Sequence, residues 1–303
     1  MMGIIPKKKR YRHAQRMEWL WGYLFILPNF IGFIVFFAIP VFFGLMVSLT
    51  NYNGFKIFDF VGFSNFSQLF KDSFFLIALK NNLYYAFIYV PLVIIFSLIL
   101  ALALDRSRIF NSFYKTVFYF PSITSIVAIG IVWSIIMSPT NGPLNAFLRA
   151  IGIKNPPKWI ASSSTALISI IIIMVWKNAG YYMIMFLGGL KTVPVQLYEA
   201  ARIDGANAWR LFLHITWPMI SPITFMVFIL CFISSFQVFD AINIMTQGGP
   251  GTSTTIIVFQ IYQEGFVGFR FGYASAMAYF LFLIILLITL IQFLGQKKWV
   301  NYG

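Results

Sequence analysis

Residues 198–222 read YEAARIDGANAWRLFLHITWPMISP, a polar stretch between two long apolar runs. It holds Glu199 and Asp204, two of only eight acidic residues in the chain. A segment this rich in acids, in a chain this poor in them, is predicted to be read by something other than lipid. Just before it, Pro194 has the fixed backbone angle of a first helical turn. Leu197, Glu199, Ala200, Ala201 and Arg202 are mostly good helix formers, so a short helix should run to about Asp204. Gly205 then breaks it. Beyond the glycine, Trp209, Phe212, Leu213 and Trp217 recur at the three-and-four spacing of an amphipathic face, until Pro218 and Pro222 oppose continuation. The expected form is an elbow of two short helices with small residues on its outer surface.

The composition surrounding this stretch sets the solvent. Of 303 residues, 60% are hydrophobic and 10% charged, and the mean hydropathy is +0.83. Such a chain is too apolar for a soluble domain of its size and reads as an integral membrane protein. Apolar runs lie at about 20–49, 83–104, 117–137, 166–190, 222–243 and 272–293, each near or above the ~20 residues that cross a bilayer. The first is too long for a cleavable signal peptide and is closed by no small-residue cleavage site.

The net charge of +14 could suggest nucleic acid, but fourteen of the 22 Lys and Arg fall in segments that alternate to one side of these runs. These are the amino-terminal tail, residues 105–116, residues 191–210 and Lys297-Lys298. Seven fall on the other side and Lys177 lies within a run. That is the positive-inside pattern, with both termini in the cytosol. The basic run Lys7-Lys8-Lys9-Arg10 stands directly ahead of a span, where it holds that end in the cytosol against membrane lipid. A nucleic-acid partner is not expected.

Chemistry-bearing clusters are not evident. Cys231 stands alone in an apolar run, and His13 and His214 have no ligand spacing, so neither a disulfide nor a metal framework is expected. Gly248-Gly249-Pro250-Gly251 lacks the lysine of a phosphate-binding loop. No enzyme activity, ATP hydrolysis or cofactor is expected of the chain.

The elbow carries a resemblance. Glu199-Ala200-Ala201, then Asp204-Gly205-Ala206, Phe212, Ile215, Pro218 and Pro222, resemble the EAA signature of the membrane permease subunits of bacterial ABC importers. The Asp-Gly-Ala and Pro-x-x-x-Pro form is similar to the carbohydrate branch, which includes the maltose and glycerol-3-phosphate permeases. The likeness runs roughly from Asn82 to Phe293. It implies an all-α integral membrane protein of the type-1 (MetI-like) permease fold, with six transmembrane helices, in the bacterial plasma membrane. It also implies that Glu199, Ala200, Ala201, Asp204, Gly205 and Ala206 form a coupling helix seated in a cleft of a separate ATPase. The implied partners are a second homologous permease subunit, a cytosolic ABC ATPase dimer, an extracellular solute-binding protein and a sugar-type solute. On this reading 1–18 is a basic cytosolic tail and 19–78 the first transmembrane helix with an external loop. Residues 79–294 form the permease domain with its elbow at 194–218, and 295–303 a cytosolic tail. The plainer reading, a tight cytosolic hairpin with Trp209 and Phe212 as interfacial anchors, leaves the matched positions unexplained.

Polar residues inside spans are costly, a central lysine by about 2.5–3.5 kcal/mol. Asn178, Tyr181 and Tyr182 follow Lys177 in the fourth span and are candidates to line a sugar path, since hydroxyls need amides and phenols and sugar faces pack on aromatics. The alternative is that Lys177 pairs with a carboxylate or snorkels while the tyrosines pack. Gln237, Asp240 and Asn243 fall three apart and are expected to share one face of the fifth span, turned to a cavity. Thr246-Gln247-Gly248-Gly249-Pro250-Gly251 resembles a family segment at the external mouth, or is a glycine-rich turn. Trp159 reads as an interface anchor. Small residues at Gly272, Ala274, Ala276 and Ala278 favour close helix approach. Asn65-Phe66-Ser67 matches a glycosylation acceptor by spacing alone. A rival class, a self-sufficient secondary carrier or channel, would use Lys177 and Asp240 as ion-coupling groups.

Overall fold

The structure, a computed structural model, describes residues 7–55, 59–106 and 111–301. The first six residues of the basic tail and the turn at 107–110 lie outside them. Among the described residues the chain is helical, with one isolated bridge between Thr50 and Phe60.

The first rod is α1 (Lys7–Phe33), a five-residue π turn at Ile34–Ala38, and α2 (Ile39–Ser48). The wide turn lies just ahead of Pro40, whose ring and missing N–H disturb the ordinary ladder. Helix begins at Lys7, well before the apolar run, so the basic tail continues straight into the span. This rod is almost wholly exposed. Its end is tied down by Asn65, whose Nδ2 donates to the carbonyls of Ser48 and Thr50, each at 2.8 Å. The side chain is therefore committed and buried, which removes the glycosylation match at Asn65-Phe66-Ser67.

After α3 (Ser64–Leu69), α4 (Ser73–Arg106) begins earlier than the apolar run at 83. The reason is a cap: Asp72 Oδ1 accepts the Phe74 N–H at 2.9 Å, satisfying a first-turn donor. The expected third span is not one helix. α5 (Asn111–Ile123) and α6 (Ile126–Ile136) meet at 94°, where a single helix over 117–137 was expected. α7 (Pro143–Ala150) follows. Trp159 ties this loop together. Its Nε1 donates to Asn145 Oδ1 at 2.6 Å, and Asn145 Nδ2 donates to the carbonyls of Pro139 and Pro157.

α8 (Ala166–Leu190) spans the expected residues. The elbow contains α9 (Val195–Ile203), α10 (Ala208–Leu211), a π turn at Phe212–Thr216 and α11 (Trp217–Met219). α12 (Ser221–Phe236) leaves it at 68°. α13 (Asp240–Met245) and α14 (Ile257–Tyr262) precede a π turn at Gln263–Val267 and the last span, α15 (Phe271–Gln296). Four described helices are long and apolar enough to cross a membrane, and up to six spans result if each bent pair is one.

The core lies between α4, α8 and α12, around Tyr85, Tyr89, Ile170, Met183, Phe186 and Cys231. α5 crosses α8 at Gly180, where a Cβ would stand 1.9 Å from the Phe118 carbonyl oxygen. Only glycine permits that backbone contact. The small residues of α15 do the same for the loop after α2: a Cβ on Gly272 would meet the Thr50 carbonyl at 2.0 Å.

Candidate functional site

The elbow is built by backbone chemistry. α9 begins at Val195, with Pro194 as its extended N-cap rather than in its first turn. At the other end the Gly205 N–H donates to the Arg202 carbonyl at 3.0 Å and the Ala206 N–H to the Ala201 carbonyl at 2.9 Å. These are the paired bonds of a Schellman end, and Gly205 takes the left-handed angle it requires, φ +81°. Nothing stands within 4 Å of where its Cβ would be, so the backbone angle alone demands glycine. Asn207 Oδ1 then accepts the Arg210 N–H at 2.9 Å and caps the second half.

Pro218 does not end that half. The helix widens into its π turn over Phe212–Thr216 and carries Pro218 through, breaking only at Ile220. There Ser221 Oγ donates to the Pro218 carbonyl at 2.6 Å and accepts the Asn301 N–H at 2.9 Å. Tyr198 Oη and Thr216 Oγ1, 2.9 Å apart, join the two halves.

Glu199, Ala200, Asp204 and Gly205 are exposed, with Ala201 and Ala206 half-buried. Glu199 is the fifth residue of α9 and lies outside its first turn. One surface residue escaped the sequence reading: Ile203 is 86% exposed, the most exposed large apolar side chain among those described. Its signal was an isoleucine held between Arg202 and Asp204 at the end of a helix with charged residues on its surface. A cleft of about 1250 Å³ separates the elbow from the end of α4, with Leu98, Leu102 and Asp105 on one wall and Tyr198, Glu199 and Trp209 on the other.

A second space, about 320 Å³, lies beside the breaks between α5 and α6 and between α12 and α13. Lys177, Asn178, Gln237 and Asp240 line it, with Tyr85, Tyr89 and Ile126. Asn178 Nδ2 donates to Tyr89 Oη at 2.8 Å. Tyr181, Tyr182 and Asn243 do not line it: Tyr181 is exposed elsewhere on α8, Tyr182 is in the core, and Asn243 is half-buried a turn beyond Asp240. The expectation that Gln237, Asp240 and Asn243 share one face fails. α12 ends at Phe236, Gln237 caps it, and Asp240 opens a new helix. The break brings Gln237 and Asp240 into the cavity by geometry that no periodicity encodes.

Lys177 has no carboxylate partner among the described residues, where the one ion pair joins Glu264 and Arg270. Its Nζ donates instead to the Ser122 carbonyl at 3.1 Å. The segment from Thr246 is a constructed loop rather than a loose turn. Asn81 Nδ2 donates to the carbonyls of Thr252 and Thr255, each at 2.9 Å, and Thr254 Oγ1 donates to Gly249 O at 2.8 Å. Among the described residues no group of His, Cys, Asp and Glu could hold a metal ion.

A polytopic helical chain with an interior polar cavity and an exposed helical elbow has the form of a membrane permease. Residues 93–300 match the binding-protein-dependent transport system inner membrane component family, and the chain belongs to it. It is a multi-pass inner-membrane permease of the ABC transporter class and not an enzyme. It is 37% identical over 291 residues to the probable ABC transporter permease YesP of Bacillus subtilis, covering 95% of this chain and 94% of that one. It is 32% identical over 280 residues to the multiple sugar-binding transport system permease MsmF of Streptococcus mutans, covering 92% and 96%. The crystal structure of a bacterial alginate ABC transporter in complex with an alginate pentasaccharide-bound periplasmic protein superposes with a TM-score of 0.84. Identity there is 25%, over 96% of this chain and 98% of that one.

Proposed function

We propose that the chain forms half of the translocation pathway of an ATP-driven importer for a sugar, oligosaccharide or related polyol. It couples to a separate ATPase through the elbow at 194–218. The observation that carries this reading is the elbow itself: a Schellman-ended helix, clasped by Tyr198 and Thr216, that presents Glu199, Ala200, Asp204 and Ile203 to the outside. A helix held this firmly yet left this exposed is suited to transmit a push from a docked partner. The other members of the assembly are a second, similar permease, an ATPase dimer and an external solute-binding protein. The sugar class is supported by the names of the sugar and alginate relatives and by a cavity that mixes tyrosines with Asn178, Gln237 and Asp240.

Each bent pair counts as one span in this reading, which gives six with both termini in the cytosol. Residues 79–294 act as the permease domain, preceded by the first transmembrane helix and external loop at 19–78. The tie between Lys177 and a backbone carbonyl, in place of a carboxylate, favours this reading over an ion-coupled carrier. Reconstitution tests it. The purified chain in liposomes should move no labelled sugar under a proton or sodium gradient, and uptake should appear only with ATPase, second permease, binding protein and ATP. Uptake by the chain alone would overturn the assignment.

A further inference from the structure

Two helix breaks, between α5 and α6 and between α12 and α13, lie beside the same cavity. Ile126 reaches it from the start of α6, and Gln237 and Asp240 from the break between α12 and α13. Residues 237–239 contain neither glycine nor proline, so local chemistry does not explain that break. Each helix end also leaves backbone carbonyls without an intrahelical partner.

The partners are identifiable. At the end of α5, Phe120 O accepts from Thr124 Oγ1 at 2.9 Å and Pro121 O from the Thr124 N–H at 3.3 Å. The Ser122 carbonyl accepts from Lys177 Nζ. The Ser122 hydroxyl returns the contact: it donates to the Lys177 carbonyl at 2.9 Å and accepts the Tyr181 N–H at 3.1 Å. At the end of α12, Asn82 Nδ2 donates to the Ser235 carbonyl at 3.1 Å, while Asn82 Oδ1 accepts the Ile257 N–H at the start of α14. Asn82 is fully buried. Lys177 and Asn82 belong to α8 and α4, the two unbroken spans of the core.

We infer that Asn82 and Lys177 are positioning residues for transport, each capping from an unbroken neighbouring helix the helix end at one of these two breaks and so fixing one wall of the cavity. Neither reads the solute. The inference rests on the cavity being the solute path. It also accounts for a lysine without a carboxylate, because the carbonyl end of a helix is the negative end of its dipole.

The test uses the complete importer in proteoliposomes, in a Cys231→Ala background, with Ile126→Cys or Phe239→Cys as reporters of the two walls. Lys177→Met should change thiol labelling at position 126 by about ten-fold and leave position 239 unchanged, as expected for loss of one hydrogen bond to a buried partner. Asn82→Leu should do the reverse. In both variants the half-saturating concentration should rise by a similar factor for every transported sugar, since a wall has moved rather than one hydroxyl contact. Lys177→Arg, which keeps a cationic donor of similar reach, should restore labelling and uptake. Should Asn82→Leu fail to assemble, Asn82→Thr, which keeps one hydroxyl, serves the same comparison. Labelling unchanged in Lys177→Met together with altered preference among sugars would make Lys177 a solute reader and overturn the inference, as would wild-type labelling in the Asn82 variants. If labelling shifts as expected while Gln237→Ala leaves solute affinity untouched, the caps stand and the solute-path reading falls.

Discussion

Tyr198 Oη lies 2.9 Å from Thr216 Oγ1, and this bond spans the bend at Gly205. It ties the two halves of the elbow together across that bend. Tyr198→Phe keeps the ring and removes the bond, worth about 1 kcal/mol. ATPase affinity should fall several-fold in a co-purification titration. The double variant with Thr216→Val should be no weaker than Thr216→Val alone, because that substitution already removes the Tyr198 contact along with the Thr216 bond to the Leu211 carbonyl.

Gly205 and Glu199 should fail differently. Gly205→Val places a branched side chain at φ +81°, an angle such residues avoid, so the second half of the elbow is misdirected. Glu199→Lys leaves the helix intact and reverses an exposed charge at the docking surface. Both subunits should be made in normal amounts and lose ATP-driven uptake. The Glu199→Lys defect should weaken at high salt and the Gly205→Val defect should not, measured as ATPase retained on the purified complex.

The cavity separates two residues that sequence spacing had grouped. Gln237 lines it and Asn243 does not. Gln237→Ala should raise the sugar concentration for half-maximal uptake several-fold, the effect of about 1 kcal/mol, while the ATPase still turns over. Asn243→Ala should transport with wild-type affinity. Equal defects in the two would remove the cavity from the path.

Six spans with cytosolic termini predict opposite access for two serines. In the Cys231→Ala background, an impermeant thiol reagent added outside intact cells should label Ser162→Cys and miss Ser112→Cys. The reverse pattern would invert the topology.

Much of this protein is local and therefore legible in its residues. Asp204-Gly205-Ala206 announces a helix end because few residues besides glycine adopt a left-handed angle at low cost, and the structure places that end where the glycine stands. α8 follows its apolar run from Ala166 to Leu190, because burial of apolar side chains is additive along a helix. What only the tertiary structure decided is where helices stop without a local cause. α12 ends at Phe236 beside a buried Asn82 that lies far away in sequence, and two helix breaks meet at a cavity whose polar lining comes from four helices. Hydrogen bonds between residues distant along the chain have no periodicity to betray them. Helix-face spacing therefore grouped Asn243 with Gln237, and the fold separated them.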